Sequence, residues 1–276
     1  MFDQTLFNPS NDFYKTKFTP DLYWIKNIGE GSHLLLDSQT PENTLSFDDT
    51  SGYIFHEGGN ILNNKKSMNS SSYIAALNYS QGFMSKVSYT GTGKITTLSH
   101  TLKTTPEFVI FKNTSSSSNW IAWHYSFSYK GYLTFNTDDS FIEDKSIFAD
   151  KIHNKINLYV NHTLSLVDNN YVAYLFGFSK YFCSGFYQGN TTVTVKTKNN
   201  PDMIIIKRVD QPGSWRLFSK KFNNNDSLRV NSYGALTTND NLLAVEFGNN
   251  EFSINNNSAA LNVPGGKYIY LCFTQY

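Results

Sequence analysis

The residues of this chain that could do chemistry do not form a recognisable catalytic or metal-binding pattern. No pair of histidines has metal-site spacing together with a cysteine or a carboxylate. The sequence contains no GxSxG elbow, P-loop or GxGxxG unit. Asp48-Asp49 and Asp138-Asp139 could form a weak calcium site, but the third copy has Ser232 at this place, and aspartate in a turn is the simpler explanation. Among 22 acidic residues, no carboxylate pair stands out as a glycosidase site. The sequence therefore predicts no enzyme activity, no catalytic residue, no metal and no cofactor.

Two tryptophans are the strongest individual candidates for ligand binding. Exposed aromatic rings stack on sugars and amide groups bind hydroxyls, so Trp120, Trp215 and the neighbouring Asn119 could form sugar sites. The alternative is core packing, because the two tryptophans occupy the same position within an internal repeat and Leu34 fills that position in the first copy. Core packing is the interpretation that the pattern favours.

The repeat itself is the dominant pattern of the chain. A similar octet occupies residues 20–27, 106–113 and 201–208, at intervals of roughly 90 residues, which is a domain-sized period. Each copy ends in an aromatic-rich run, at 73–77, 171–176 and 268–273. A lysine recurs near the end of each octet, where its stem is expected to pass apolar neighbours and bring the ammonium to the surface: Lys26, Lys112 and Lys207.

The second copy indicates the fold of one unit. It contains seven short runs rich in aromatic and β-branched residues, separated by Gly, Ser, Asn and Asp, at 86–90, 96–99, 108–112, 120–124, 132–136, 158–161 and 171–176. Seven short strands in about 95 residues are typical of an antiparallel β-sandwich. Residues 141–156 are expected to form a loop with one helical turn. The sequence thus predicts an all-β protein of three tandem antiparallel, jelly-roll-like β-sandwich repeats.

The repeat boundaries predict an N-terminal arm at 1–17, a first repeat at 18–82, a second at 83–177 and a third at 178–276, with tight junctions. The first repeat looks truncated, because no aromatic strand with a Gly turn precedes its proline. A sandwich short of a strand has an unpaired edge. The arm, with Phe2, Phe7, Phe13 and Tyr14, could dock on a neighbouring protein. The alternative is that it folds back as a local edge strand.

Composition restricts the partners. The formal net charge is +1, whereas a dedicated nucleic-acid binder normally has a basic excess. No apolar run is long enough for a membrane span, and the N-terminus lacks the pattern of a signal peptide, which predicts a soluble protein made without secretion. Cys183 and Cys272 are expected to be buried thiols, although a bridge between them stays possible.

Several motifs together resemble a known family. They are the Pro-Asp-(apolar)-Ile-Lys-Asn octet, the run at 119–124, the run at 171–174, Gly82-Phe83 and the segment at 89–93. This set is similar to a repeat domain of virion structural proteins in tailed bacteriophages, common in phages of marine bacteria and found in tail-fibre-like surface proteins.

The resemblance implies a β-rich virion protein assembled in the host cytoplasm and displayed on the particle as a tail-fibre-like or adhesion subunit. Capsid decoration or a head fibre is the alternative, and a glycan-degrading tail enzyme is a second and weaker one. The implied partners are other virion proteins, further copies of the chain in a homo-oligomer such as a trimer, and a host surface glycan or outer-membrane receptor. No catalytic residues carry over from this family.

Overall fold

The computed structural model describes residues 1–8, 16–55, 71–128, 130–153 and 157–276, and nearly all the regular secondary structure of these residues is antiparallel β-sheet. The predicted all-β class is confirmed. Within the described residues, helix is limited to four single turns of 3-10 helix, at Tyr79–Gln81, Tyr125–Phe127, His162–Leu164 and Asn241–Leu243. We refer to residues 1–82, 83–177 and 178–276 as segments 1, 2 and 3.

Each segment contributes one large sheet. In segment 1 the order is β1 (Phe2–Phe7), β6 (Ser72–Leu77), β2 (Leu22–Asn27), β3 (His33–Asp37), β4 (Asn43–Leu45) and β5 (Ile54–Phe55). In segment 2 it is β7 (Met84–Thr90), β15 (Asn170–Gly177), β9 (Pro106–Asn113), β10 (Ile121–His124), β11 (Gly131–Thr134) and β12 (Ile142–Glu143). In segment 3 it is β16 (Phe182–Gln188), β23 (Lys267–Phe273), β18 (Met203–Arg208), β19 (Arg216–Ser219) and β20 (Leu228–Arg229).

The three large sheets have the same strand order. In each, the first strand of the segment pairs with the last, and the last pairs with the strand that follows the repeated proline. The register corresponds as well, with these cross-strand pairs at equivalent positions: Trp24–Ala75, Ile110–Tyr174 and Ile205–Leu271. Positions in the three segments can therefore be compared residue by residue.

Segments 2 and 3 each carry a second, smaller sheet on the outer face of the large one. The small sheet of segment 2 consists of β13 (Phe148–His153), β14 (Asn157–Val160) and β8 (Thr96–Ser99). That of segment 3 consists of β17 (Val193–Lys196), β22 (Glu251–Ile254) and β21 (Glu246–Gly248). Each pair of sheets encloses its own apolar cluster, so segments 2 and 3 have the layers of a sandwich.

The inner faces of the three large sheets share one apolar core. A single cluster of buried side chains runs through all three segments and includes Trp24, Phe108, Trp120, Trp215 and Leu271. The inner faces therefore pack against one another, in addition to the separate outer cores that a row of sandwiches would have. At the centre lies an apolar cavity of about 40 Å³ lined by side chains from all three large sheets. A cavity of this size and polarity has no room or hydrogen-bond partners for a sugar ring.

Two local expectations are corrected by the structure. Segment 1 does not lack its first strand, because β1 pairs with β6 along its whole length, as β7 does with β15. The first repeat looked truncated because no Gly turn follows this strand, whereas the alternative expectation of an edge strand is met by residues 2–7. Within 141–156, the predicted helical turn is replaced by strands β12 and β13 over the described residues, while 154–156 lie outside them.

The two cysteines are neighbours across strands β16 and β23. Cys183 lies directly opposite Cys272, and both are buried free thiols. This agrees with the expectation of buried thiols. Within the described part of the chain, no helix has the length and apolar character needed to cross a membrane.

Candidate functional site at the contact of segments 2 and 3

Three buried lysines join neighbouring segments. Lys26, Lys112 and Lys207 occupy equivalent positions on β2, β9 and β18, and each has no exposed surface. Each ammonium donates to one carbonyl of its own segment and one of a neighbouring segment, at N–O distances of 2.5 to 3.1 Å. The accepting residues are Gly31 and Tyr233 for Lys26, Ser118 and Thr50 for Lys112, and Gly213 and Asp138 for Lys207.

These lysine clamps do not bring their ammonium groups to the surface, so the expectation of snorkelling is wrong. Backbone carbonyls replace the water that the ammonium would otherwise bind. Burial lowers the pKa of Lys26, Lys112 and Lys207 to about 8, and nearby aspartates oppose the change. The three clamps close a ring of contacts. The lysine of segment 1 donates to a carbonyl of segment 3, that of segment 2 to segment 1, and that of segment 3 to segment 2. Every segment therefore supplies one lysine and one accepting carbonyl to its neighbours.

The tryptophan candidates lie beside the clamps. Trp120 and Trp215 are fully buried. Their indole N–H groups donate to Ser46 O at 2.8 Å and Thr134 O at 2.9 Å, each in the preceding segment. An enclosed indole has no free face for a sugar to stack on. The structure therefore places both rings in the core.

The equivalent position in segment 1 holds His33, not Leu34. His33 lies opposite Lys26 across strands β2 and β3. The register of β9 and β10, continued by one residue, places Trp120 opposite Lys112 in the same way. Trp24 Nε1 donates to His33 Nδ1 at 2.7 Å, and the other ring nitrogen contacts Ser232 O at 3.2 Å in segment 3. The sequence offset was one residue too long, because the loop before His33 is shorter than its counterparts.

A polar side chain fixes each of these positions from the following turn. Asn136 Oδ1 accepts the backbone N–H of Trp120 at 2.9 Å, and Asp48 Oδ1 accepts that of His33 at 3.2 Å. The role of Asp48 in its turn is therefore structural. Asn119, the third ligand candidate, is exposed, and its side-chain oxygen accepts from Asn136 at 3.0 Å.

The N-terminal assembly candidates have different positions. Phe2 is fully buried in the shared core, at 5.3 Å between ring centroids from Phe273. Phe7 ends β1 and is partly buried. Residues 2–7 thus form an edge strand and not a free docking arm. Phe13 and Tyr14 lie outside the described residues.

The contact between segments 1 and 2, the first seam, contains a buried ion pair. Lys86 Nζ lies 3.0 Å from Asp37 Oδ2, and the two side chains are 1% and 3% exposed. The same carboxylate oxygen accepts from Tyr79 OH at 2.7 Å and Tyr174 OH at 3.2 Å. Burial raises the pKa of both phenols well above the usual value, and the charge of Asp37 adds to this. This cluster is closed to solvent, so its chemistry is that of a structural contact.

The contact between segments 2 and 3, the second seam, carries an ion pair that is open to solvent. Glu107 Oε1 lies 3.0 Å from Lys198 Nζ, and Lys198 is 54% exposed at its side chain. The other carboxylate oxygen accepts from the backbone N–H and the hydroxyl of Ser184 at 2.8 and 3.2 Å. The carboxylate is thus fixed across the seam. Despite partial desolvation, the hydrogen bond to Glu107 raises the pKa of Lys198.

Three exposed aromatic rings surround this pair. Phe186 is 63% exposed, Phe178 is 40% exposed and Tyr125 is 36% exposed. The Tyr125 and Phe186 ring centroids lie 6.4 Å apart, and Lys198 Nζ lies 4.7 Å from the centre of the Phe178 ring. We call Glu107, Tyr125, Phe178, Phe186 and Lys198 the aromatic surface. It is the candidate functional site.

His124 lies directly beneath this surface. It precedes Tyr125 in the chain, at 4.5 Å between ring centroids, and it is fully buried. Its Nδ1 accepts from Ser126 N at 3.3 Å, whereas its Nε2 has no hydrogen-bond partner among the described residues. Burial lowers the pKa of His124 to about 3, so the ring is neutral in the folded protein.

A family model described as Domain of unknown function (DUF7483) matches residues 53–276, which is most of the chain. The chain belongs to this family. No curated protein and no solved structure matches it. The DUF7483 match contains segments 2 and 3 completely, so the whole aromatic surface lies within it. Of the first-seam ion pair, Lys86 lies inside the match and Asp37 lies outside it.

Sequence reasoning missed the aromatic surface of this DUF7483 chain. Its residues come from four separate stretches, and only the fold brings them together. One signal was present: the alternation of β16 places Phe182, Ser184 and Phe186 on the same face of the strand. Over the described residues, no group of three or more potential metal ligands forms a cluster.

Proposed function

We propose that this chain is a structural subunit of a bacteriophage particle, displayed on the particle surface as a tail-fibre-like or adhesion subunit. The proposal rests first on the motifs that resemble the virion repeat domain: the three octets, the run at 119–124 and Gly82-Phe83. The family in which the chain falls has no described function, so it neither adds to the proposal nor opposes it.

The structural observation that carries the proposal is the closed set of lysine clamps around one core. Each segment is held to its neighbours by buried hydrogen bonds and by shared apolar packing, and the three sheets have one strand order. We infer from this that one unit was triplicated. Such a body is stiff, and its first and second seams differ in chemistry, which suits a displayed part of a particle.

The charged groups also support a non-catalytic role. The first-seam ion pair and the three clamp lysines are buried and fully engaged in contacts within the protein. The aromatic rings and the Lys198 side chain are exposed to solvent, and each oxygen of Glu107 already accepts a hydrogen bond within the protein. These are properties of a binding face.

Labelling of purified particles tests the proposal. Particles from cultures that produce the protein are purified on a density gradient and treated with gold-labelled antibody against the chain. We expect the chain to sediment with particles and gold to mark the tail or its fibres. Gold on the head would indicate capsid decoration, and a chain found only in the soluble fraction would contradict a virion role. Release of oligosaccharides from host surface glycan by the purified protein would contradict the non-catalytic role.

A further inference from the structure

We propose that the aromatic surface at the second seam binds a neutral carbohydrate, through sugar rings that stack on Phe186 and Tyr125 and hydroxyls that bond to Glu107 and Lys198. This inference rests on the proposed adhesive function and assigns its ligand class and location. It replaces Trp120 and Trp215, which are buried, with rings that solvent can reach.

Packing does not require the aromatic rings of Phe186 and Tyr125. Phe186 occupies the position of Leu6 in β1 and Ser88 in β7, as the cross-strand registers show. Ser88 is exposed, so the same backbone position is compatible with a small polar residue. Tyr125 likewise corresponds to Ser38, which is exposed. At the second seam alone, both positions carry an aromatic ring.

Exposing these apolar rings to water costs free energy. Phe186 is 63% exposed, although large apolar side chains gain about 2 kcal/mol or more when buried. Two further exposed rings lie close by, with Tyr125 near Phe186 and Phe178 against Lys198. Contiguous exposed apolar area bordered by polar groups marks binding surfaces in soluble proteins.

The charge of the Glu107–Lys198 pair selects the ligand class. Glu107 and Lys198 form a pair with no net charge, so neither an anion nor a cation is favoured. Each Glu107 oxygen has a second lone pair beyond the hydrogen bonds it already accepts, so the pair can offer an acceptor and a donor, and Ser184 holds the carboxylate in place. Adjacent hydroxyls of a sugar are donors and acceptors at once, and the C–H faces of a pyranose match aromatic rings. A neutral polyhydroxylated ring therefore satisfies both components of the surface.

Binding of the purified full-length chain to an array of immobilised neutral and acidic oligosaccharides tests this, followed by calorimetric titration of the best neutral binder. We expect neutral oligosaccharides to bind with dissociation constants of about 1 mM or below, which is typical of a shallow single site. Phe186→Ala should weaken binding at least tenfold, and Glu107→Gln by a smaller factor. The matched control is Leu242→Ala, which removes an apolar side chain that is 61% exposed in a different part of segment 3; it should leave binding unchanged.

Absence of binding to every neutral oligosaccharide, preference for acidic ones, or equal binding by Phe186→Ala and the unchanged chain would each overturn the assignment. Since Phe186 is exposed, the unfolding transition of Phe186→Ala should match that of the unchanged chain, so loss of binding reports on the site. Gold labelling of particles by antibody remains independent of this result. A chain that labels particles but binds no sugar would refute this ligand and leave the structural role intact.

Discussion

The first and second seams join equivalent strands but solve the problem of polar contact in opposite ways. In the first seam, Lys86 and Asp37 are desolvated and neutralise each other within a cage of tyrosines. In the second seam, the position of Asp37 holds His124, which is neutral, and the ion pair has moved outward to Glu107 and Lys198. The difference shows that the same arrangement of strands can bury an ion pair at one contact and expose an ion pair to solvent at another.

Removing one partner of the buried pair should have the largest effect. Asp37→Ala leaves the Lys86 ammonium without its counter-charge and two phenols without their acceptor, so we expect a loss of about 3–5 kcal/mol in the free energy of unfolding. Urea unfolding followed by tryptophan fluorescence measures it, because the tryptophans are buried. The double variant Asp37→Leu with Lys86→Met should recover the part of the loss that comes from the unpaired ammonium, while the two phenols stay without their acceptor. A single variant as stable as the unchanged chain would mean that the ion pair is not closed to solvent.

Acid should destabilise the protein through its buried histidines. Burial lowers the pKa of His33 to about 4 and of His124 to about 3, from 6.5. The unfolded chain then binds more protons below pH 6.5, so stability falls as the pH decreases from 6.5 to 4, by on the order of 2 kcal/mol per histidine. His124→Asn keeps an acceptor for Ser126 and should flatten the fall. Equal pH dependence in that variant would show that His124 does not contribute.

The lysine clamps should produce the same trend in the alkaline range, because they are also cations whose pKa is lowered by burial. Their pKa values near 8 lie below the ordinary 10.5, so the unfolded chain binds more protons between these values. Stability should therefore rise from pH 8 to about 10, above which the raised pKa values of the buried tyrosines reverse the trend. Lys112→Met should remove about one third of the rise, as one of three equivalent clamps. Denaturation midpoints at several pH values give the comparison, and a flat profile in the unchanged chain would contradict it.

Changes at the second seam should affect stability least. Glu107→Gln weakens a partly exposed ion pair but retains an oxygen for Ser184, so we expect a loss of about 0.2–1 kcal/mol. Phe186→Ala should change the free energy of unfolding by no more than about 0.5 kcal/mol. Both are measured by the same urea titration as Asp37→Ala. A loss comparable to that of Asp37→Ala at either position would remove the contrast between the seams.

The repeated motifs predicted much of the strand pattern, because alternation and turn residues are local properties. The strands at 96–99, 108–112 and 171–176 are found with small shifts at their ends. The shared core was not predicted. The inner face of each large sheet has the same apolar pattern whether it packs against the other large sheets or only within its own sandwich. The clamps were missed for a related reason: a lysine reads as a surface residue unless the carbonyls that surround it are known.

The candidate site was beyond local reasoning for a geometric reason. Glu107 and Lys198 are separated by 91 residues and belong to different segments. Their approach depends on how two sheets meet, which no single stretch of sequence encodes. Trp120 and Trp215 attracted attention because of their type, yet ring type does not distinguish a core position from a binding face. Exposure does, and it follows from the closed packing of the three sheets.

The closed order of the clamps also limits how such a protein can evolve. A row of domains can gain or lose a member at either end, because each contact is made along one direction. Lys26, Lys112 and Lys207 each bind a carbonyl of a neighbouring segment, so the three large sheets form a closed ring. A fourth large sheet could not enter without breaking one of these contacts, and loss of a large sheet would expose the core. The number of sheets is therefore fixed, and variation is confined to the side chains at the outer ends of the contacts, where new specificities can arise without disturbing the frame.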